Sequence, residues 1–233
     1  MCGRFACQAS QAEILKTFQI QVAKSEPITS YNIAPSHSIL AVVQNQRGTR
    51  GLIRLRWGLI PAWTKNIETA KKPINARSES AHEKPSFREA LQKRRCLIVS
   101  TGFYEWRKKS QDPYFIHCTD QALFAFAGLY EFWVNPEGQR IDTCSILTTE
   151  ANDTISKIHQ RMPVILKPED QALWLDKSRQ DPREIQHLLK AYPAQDTSYF
   201  PVSQTVNNVC NNSPECLVAH EHPTYTVQRS FFD

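Results

Sequence analysis

The chain has 233 residues, of which 41% are hydrophobic, 10% aromatic and 22% charged, which is the composition of an ordinary globular protein. This composition excludes a disordered, collagen-like or fibrous chain, and the length is sufficient to bury a core without disulfide bonds. The 28 lysines and arginines exceed the 23 aspartates and glutamates, so the formal net charge is +5. This mildly basic balance permits a polyanionic partner without requiring one, because nucleic-acid binding depends on where positive charges cluster.

The first predicted element is a helix over residues 10–18. Ser10 is a suitable N-cap, Glu13 stands three residues further on as in a capping box, and the apolar residues fall on one face. Two strands are predicted next, over residues 38–44 and 52–57, on either side of a turn-like Asn-Gln-Arg-Gly segment. Together these two strands predict a β-hairpin.

The later segments mix short strands with short helices. Helices are predicted where a proline or a capping side chain precedes an apolar pattern, and strands where β-branched and aromatic residues cluster. The predicted strands cover residues 96–99, 114–118, 123–130 and 144–148, and the predicted helices cover residues 86–95, 153–158, 168–175 and 182–191. Strand and helix do not alternate regularly, so the sequence predicts an α+β protein of one domain over residues 1–233 rather than a doubly wound parallel sheet.

Several functional classes are excluded by missing motifs. With only 7 glycines, the sequence contains neither a G-x-G-x-x-G nor a G-x-x-x-x-G-K-[ST] motif, so a glycine-rich nucleotide-binding fold is not expected. The longest apolar run, residues 122–129, is far shorter than the roughly 20 residues that cross a membrane. The first residues lack the apolar region of a signal peptide. We therefore expect a cytoplasmic protein with no membrane partner.

The seven cysteines are widely scattered and contain no C-x-x-C pair. Such cysteines are typical of free thiols in a reducing compartment, and most of them are expected to be buried. The set Cys210, Cys216, His220 and His222 lacks the usual spacing of zinc ligands. The sequence therefore predicts no metal site and no cofactor.

Cys2 differs from the other cysteines because only Met1 precedes it. Once Met1 is removed, Cys2 carries a free α-amine as well as its thiol, with reference pKa values of about 8 and about 8.5. Such an aminothiol reacts with an aldehyde, because the amine forms a Schiff base and the thiol then closes on the imine carbon to give a thiazolidine ring. The alternative at this point is that Cys2 is an ordinary second residue.

Residues 73–79 form a polar segment that a dry core does not explain. Asn75, Arg77 and Glu79 stand at alternate positions, so an extended chain projects an amide, a guanidinium and a carboxylate to one side. This pattern is typical of a functional surface.

Glu105 and His159 are candidates for proton transfer. Glu105 stands between aromatic residues in segment 101–106, where desolvation raises the pKa of a carboxyl; the alternative is an exposed glutamate on an edge strand. His159 precedes Arg161 and a proline in segment 158–163. A histidine there can act as a general acid or base near pH 7, or it can be structural.

Seven motifs follow one another along the chain in a fixed order. They are Met1-Cys2-Gly3-Arg4-Phe5, Tyr31-Asn32-Ile33-Ala34-Pro35, Trp57-Gly58-Leu59-Ile60-Pro61-Ala62-Trp63, Asn75-Ala76-Arg77-Ser78-Glu79, Gly102-Phe103-Tyr104-Glu105-Trp106, Ile158-His159-Gln160-Arg161-Met162-Pro163, and Pro201-Val202-Ser203 with Val206-Asn207-Asn208. Together they resemble the SOS-response-associated peptidase (SRAP) family over residues 2–218. Seven motifs in register are far more specific than any one of them.

The resemblance implies a fold and an activity. The implied fold is a single SRAP domain with a central, mostly antiparallel β-sheet or barrel flanked by short helices. The implied activity is binding of single-stranded DNA and covalent capture of its abasic sites, in which Cys2 forms a thiazolidine with the ring-opened sugar after the chain removes its own Met1. Such a protein shields the lesion during the DNA damage response and accompanies the nucleoid when it is bound to DNA.

The resemblance also implies roles for individual residues. Cys2 is the nucleophile, and Asn75 positions its amine and the sugar. Glu105 handles protons at the amine, and His159 assists ring opening and imine formation. Six further residues are implied to contact DNA: Arg4, Pro35, Trp63, Arg77, Thr148 and Arg161. The three arginines would bind phosphates through charge-assisted hydrogen bonds, whereas a core position is the alternative for the tryptophan.

Two other functions remain open from the sequence alone. A cysteine peptidase acting on other proteins would use Cys2 and His159 with Glu105 or Asn75 as a triad-like site. A non-covalent reader of single-stranded or modified DNA would rely on basic residues and tryptophans.

The C-terminal tail, residues 219–233, carries a separate prediction. Its segment Gln228-Arg229-Ser230-Phe231-Phe232 resembles the short peptide with which bacterial proteins dock on the replication sliding clamp. Gln228, Phe231 and Phe232 would make that contact. The protein is otherwise expected to act as a monomer on DNA.

Overall fold

A computed structural model describes residues 2–27 and 29–220 of the chain. Within these residues the chain forms fourteen β-strands and four short α-helices. The strands are β1 (Arg4–Cys7), β2 (Val22–Ala23), β3 (Ser30–Ile33), β4 (Ser38–Gln44), β5 (Arg50–Trp57), β6 (Asn75–Arg77), β7 (Arg95–Ser100), β8 (Gly102–Trp106), β9 (Pro113–Cys118), β10 (Phe124–Val134), β11 (Arg140–Glu150), β12 (Arg161–Pro163), β13 (Ile165–Leu166) and β14 (Thr197–Pro201). The helices are α1 (Gln11–Thr17), α2 (Arg88–Lys93), α3 (Gln171–Leu175) and α4 (Pro182–Ile185). Short 3-10 turns lie at Ile155–Lys157, Pro168–Asp170, Gln186–Leu188, Ala194–Asp196, Gln204–Asn207 and Pro214–Leu217.

Five of the strands close into a barrel. Antiparallel pairing joins β5 to β4, β4 to β7, β7 to β10 and β10 to β11, and parallel pairing of β11 with β5 completes the ring. Closure removes the free edges that an open sheet would expose. Trp57, Leu97 and Phe126 from these strands are buried in the main apolar cluster. The predicted α+β fold with a mostly antiparallel barrel core and short helices is therefore confirmed.

A second, antiparallel sheet packs against the barrel and carries part of the candidate site. Its strand order is β14-β9-β8-β1-β3. Phe5 of β1 contacts two barrel residues edge-on, with ring centroids 5.2 Å from Trp57 and 5.7 Å from Phe126. Aromatic pairs in this geometry add stability beyond the area that they bury. The start of the chain is therefore anchored to the barrel through Phe5.

The first predicted elements are confirmed. Helix α1 begins after Ser10, whose hydroxyl accepts a hydrogen bond from the Glu13 main-chain N–H at 3.3 Å. The Glu13 carboxylate in turn accepts one from the Ser10 main-chain N–H at 2.8 Å, which completes the capping box. The hairpin of β4 and β5 is also present, and Gly48 in its turn adopts a φ of +81°, where glycine is favoured.

The helix predicted over residues 86–95 is wrong at its C-terminal end. Helix α2 stops at Lys93, and Arg95 begins strand β7. The Arg95 side chain is buried, and its guanidinium donates hydrogen bonds to the main-chain carbonyl oxygens of Leu91, Gln92, Trp174 and Asp176. Two of these carbonyls belong to the end of α2, where unpaired carbonyl groups favour a positive charge. Arg95 is therefore a structural residue and not part of a basic surface cluster.

Several other predicted segments differ in extent. Residues 153–158 form only a 3-10 turn, and residues 182–191 form α4 followed by another turn, since helices this short gain little from propagation. The strands β10 and β11 reach 11 residues each, because they pair with one another in a long hairpin that extends beyond the core. Hydrophobic patterning alone misses such partly exposed strand ends.

All seven cysteines are free, and six of them are buried, which confirms the prediction of scattered buried thiols; Cys210 is exposed. His222 of the rejected zinc set and the predicted clamp-binding residues Gln228, Phe231 and Phe232 lie outside the described residues. Across residues 2–27 and 29–220, no helix has both the length and the apolar character needed to cross a membrane.

Candidate functional site

Cys2 is buried directly before β1 and is fixed by a residue of β6. The side-chain amide of Asn75 donates a hydrogen bond of 2.8 Å to the main-chain carbonyl oxygen of Cys2. Strand β6 is short, and its position is set by parallel pairing with β11, in which Asn75 lies opposite Ile146. The other amide atom of Asn75, Oδ1, is buried and has no hydrogen-bond partner among the described residues. Because a buried acceptor without a partner is costly, Asn75 is prepared to accept a further hydrogen bond beside Cys2.

Glu105 and His159 lie next to each other, and the Glu105 carboxylate is close enough to Cys2 to raise the pKa of its thiol. Glu105 lies in β8, which pairs with both β1 and β9 and is therefore not an edge strand. The alternative hypothesis of an exposed glutamate on an edge strand is wrong. The Glu105 side chain is nearly fully buried, and one carboxylate oxygen lies 4.0 Å from Nδ1 of His159. The same Nδ1 lies 3.0 Å from the Arg161 main-chain nitrogen. The main-chain oxygen of Arg161 also lies 3.0 Å from this Nδ1, so the nitrogen either accepts from the Arg161 N–H or donates to the Arg161 oxygen, depending on the tautomer.

Burial shifts the pKa values of this group in a consistent way. Burial raises the pKa of the Cys2 thiol well above its usual range, and the nearby Glu105 carboxylate raises it further. Burial also raises the pKa of Glu105 to about 7 and lowers the pKa of His159. Near neutral pH the thiol is therefore protonated, the carboxyl exchanges its proton readily and the imidazole is largely neutral. Such a set is suited to moving protons at a nucleophile.

Arg161 forms a bidentate ion pair beside these residues. Its Nη1 and Nη2 lie 2.6 and 3.0 Å from the two carboxylate oxygens of Glu79, and Nη2 also donates to the main-chain oxygen of Thr148 at 2.7 Å. The Thr148 side chain is buried, with its hydroxyl 3.4 Å from the main-chain oxygen of Ala76. Arg161 therefore joins the loop after β6 to strands β11 and β12.

The other residues implied to contact DNA occupy different environments. Arg4 is half-buried and donates to Asn32 Oδ1 at 2.7 Å and to the main-chain oxygen of Val206 at 2.6 Å. Pro35 and Arg77 are exposed. The Trp63 side chain is 66% exposed, so its core alternative is wrong. Arg4 thus has a structural role in the folded chain, whereas the other three side chains face solvent.

A basic cavity next to Asn75 was not predicted from the sequence. It has a volume of about 550 Å³, and its lining includes Lys71, Lys72, Lys84 and Arg77 but no carboxylate. The adjacent pair Lys71 and Lys72 is visible in the sequence, but Lys84 reaches the same cavity only through the fold. The pairing of Glu79 with Arg161, 82 residues away, was likewise not predicted from the sequence.

Comparison with known proteins shows the protein family to which this chain belongs. The model of the SOS response associated peptidase (SRAP) family matches residues 1–209. The chain belongs to this family, as the motif resemblance predicts.

Named relatives and solved structures agree with that assignment. The chain is 44% identical over 225 residues to the abasic site processing protein YoqW of Bacillus subtilis, covering 94% of this chain and 100% of that protein. It is 32% identical to the abasic site processing protein HMCES of Gallus gallus, covering 95% of this chain and 78% of that protein. A crystal structure of a protein from Bacteroides thetaiotaomicron superposes with a TM-score of 0.81 at 27% identity, covering 92% of this chain and 96% of the other.

Proposed function

We propose that this protein processes abasic sites in DNA, and that it captures them covalently through Cys2 after Met1 is removed. The observation that carries the proposal is the position of Cys2, which is held by Asn75 and lies beside the buried Glu105 and His159 pair. The names of YoqW and HMCES as abasic site processing proteins give the substrate class.

The proposed capture step is a condensation between the Cys2 aminothiol and an aldehyde. Hydrolysis of the Met1–Cys2 peptide bond consumes one water and releases methionine, leaving the α-amine of Cys2. The ring-opened abasic sugar presents its C1′ aldehyde, to which the amine adds, and loss of one water gives the imine. The thiol sulfur then bonds to the imine carbon while the nitrogen gains a proton. The product is a thiazolidine, and the overall capture step releases one water with no oxidant or reductant.

The neighbouring side chains supply what these steps require. Asn75 Oδ1 is available to accept a hydrogen bond from the new amine, which would hold the nitrogen toward the aldehyde. Glu105, with a pKa raised to about 7 by burial, can take a proton from the amine or the thiol and return one to the departing water. The imidazole of His159 can exchange a proton with the sugar oxygen during ring opening.

The basic cavity supports DNA as the partner. Lys71, Lys72 and Lys84 line it without a compensating carboxylate, and it adjoins Asn75. Phosphodiester groups on one side of the lesion would bind there through these charges. The exposed Trp63 offers a surface on which an unpaired base can stack, which favours single-stranded DNA.

The proposal is tested with single-stranded DNA that carries one abasic site. Wild-type protein should give an adduct that survives heating on a denaturing gel, and Cys2→Ala should give none while retaining salt-sensitive binding. Cys2→Ser should give only a labile adduct, since an imine forms without the stable ring. Cleavage of added protein substrates without an adduct would favour the peptidase, and binding without an adduct would favour the non-covalent reader; either result overturns covalent capture.

A further inference from the structure

We propose that Glu79 limits binding of DNA by holding the guanidinium edge with which Arg161 would bind a phosphate. This inference rests on the proposed function, because it concerns the DNA that approaches the same site. Glu79 would act as an internal substitute for a phosphate group, and DNA would have to displace it to engage Arg161.

The geometry of the pair is the first support. A guanidinium binds carboxylate and phosphate through the same two parallel N–H groups. In Arg161 both terminal nitrogens point to Glu79, at 2.6 and 3.0 Å, and one of them also donates to Thr148. The remaining nitrogen, Nε, is buried and has no hydrogen-bond partner among the described residues. A phosphate therefore cannot bind Arg161 in the bidentate manner while Glu79 is in place.

The surroundings of the pair are the second support. The Arg161 side chain is only 16% exposed, whereas that of Glu79 is 50% exposed, so the carboxylate covers the arginine on the solvent side. Glu79 is also two residues from the exposed Arg77, whose positive charge contributes to lowering the pKa of Glu79 after the larger effect of the Arg161 hydrogen bond. Glu79 thus stays ionised and adds a negative charge next to the basic cavity. Such a charge weakens attraction for any polyanion.

The Glu79–Arg161 pair should affect the affinity for DNA but not the rate of adduct formation. His159 is oriented by the main chain of Arg161, which is held by the pairing of β12 with β11, and not by the Arg161 side chain. Loss of Glu79 should therefore change how tightly DNA binds without changing how fast bound DNA reacts. Glu79 in this sense limits affinity for DNA, and it shortens the time that the protein spends bound to undamaged strands.

The test compares Glu79→Gln with wild type in binding to an undamaged single-stranded oligonucleotide across a salt series. We expect about fivefold tighter binding at low salt, and a plot of log affinity against log salt steeper by about 0.7, the value of one added phosphate contact on a single strand. The first-order rate of adduct formation on protein saturated with abasic-site DNA should stay within about twofold of wild type. If Glu79 had only a structural role, Glu79→Gln would instead weaken DNA binding and slow adduct formation together.

Two controls make the result specific. Glu83→Gln removes the same charge from an exposed glutamate in the same loop that does not contact Arg161, and it should tighten binding much less. In an Arg161→Gln background, Glu79→Gln should give no larger gain than Glu83→Gln, because only the general effect of the lost charge remains. Unchanged or weaker binding by Glu79→Gln, equal gains from Glu79→Gln and Glu83→Gln, or no binding by any of these proteins would overturn the inference. Wild-type protein that binds DNA but forms no adduct would overturn only the proposed covalent capture.

Discussion

The Asn75 side chain is hydrogen-bonded to the main chain of Cys2, with Nδ2 2.8 Å from the carbonyl oxygen. This contact also restrains the nitrogen of Cys2, which would become the reactive amine. The nitrogen is only two bonds from the carbonyl carbon, through Cα. Asn75 itself is placed by the pairing of β6 with a barrel strand. The barrel therefore positions the N-terminal residue through one side-chain amide.

Asn75→Ala should slow adduct formation about tenfold to a hundredfold, since a buried hydrogen bond of about 1–3 kcal/mol is lost at the reacting residue. Affinity for undamaged single-stranded DNA should change little. Single-turnover formation of the adduct on saturated protein measures the rate. Asn135→Ala removes the same side chain from the distant β10–β11 turn and serves as the control; equal rates for wild type and Asn75→Ala would remove Asn75 from the mechanism.

Glu105→Gln should stabilise the protein at high pH while slowing capture. Burial raises the pKa of Glu105 from its ordinary value of 4.5 to about 7, so the folded state holds the proton more tightly than the unfolded state between these values. The free energy of unfolding therefore falls as pH rises through this window, by up to about 3 kcal/mol from this group, and is constant above it.

Urea unfolding of wild type and Glu105→Gln from pH 4.5 to pH 8 checks this sign. The variant should lack the decline that Glu105 causes, and the difference in its favour should be greatest at pH 8. Glu150→Gln, on an exposed glutamate, should follow wild type. Parallel curves for wild type and Glu105→Gln would mean that the carboxyl ionises at its ordinary pKa.

Local signals in the sequence predict the elements that depend on neighbours in the chain. The capping box of Ser10 and Glu13 and the hairpin around Gly48 each use residues a few positions apart, so their geometry is visible in the sequence. The members of the candidate site come chiefly from the motif resemblance, because residue type and setting alone leave alternatives open for Cys2 and Glu105. Their proximity follows from the pairing of β1 with β8, which no local pattern indicates.

Long-range contacts account for what the sequence does not predict. Closure of the barrel depends on parallel pairing of Arg56 and Trp57 with β11, far along the chain. The Glu79 partner of Arg161 and two of the four partners of Arg95, on Trp174 and Asp176, are remote in the sequence, so these contacts are not visible until the fold is known. Short strands such as β6 and β8 are fixed by their neighbours more than by their own composition.

The basic cavity gives a prediction about salt dependence. Replacing Lys71, Lys72 and Lys84 together by glutamine should reduce the slope of log affinity against log salt for single-stranded DNA by about 2, since each phosphate contact contributes about 0.7. The rate of adduct formation at saturating DNA should be unchanged. The charge-matched control replaces the exposed lysines Lys16, Lys24 and Lys190. An equal loss of slope in both triple variants would contradict the assignment of the cavity to DNA.

Arg95→Met should destabilise the fold by about 3 kcal/mol without altering the site, because four buried carbonyl groups lose their donor. The midpoint of urea unfolding should fall with little change in the slope m. Lys93→Met, on an exposed neighbour, should shift stability by no more than about 0.5 kcal/mol. If Arg95→Met shifts the free energy of unfolding as little as Lys93→Met does, the hydrogen bonds to the carbonyl groups contribute no net stability.

Intact mass spectrometry of the protein after incubation with abasic-site single-stranded DNA, without any reducing agent, tests covalent capture most directly. Covalent capture should give a species with the mass of the chain lacking Met1 plus the oligonucleotide minus one water, and this species should be absent from Cys2→Ala. After denaturation this adduct should take up one fewer thiol-alkylating group than the free protein, because the Cys2 sulfur is closed in the ring. If protein whose mass confirms loss of Met1 forms no adduct, or if Cys2→Ala forms as much adduct as wild type, Cys2 does not capture the abasic site covalently.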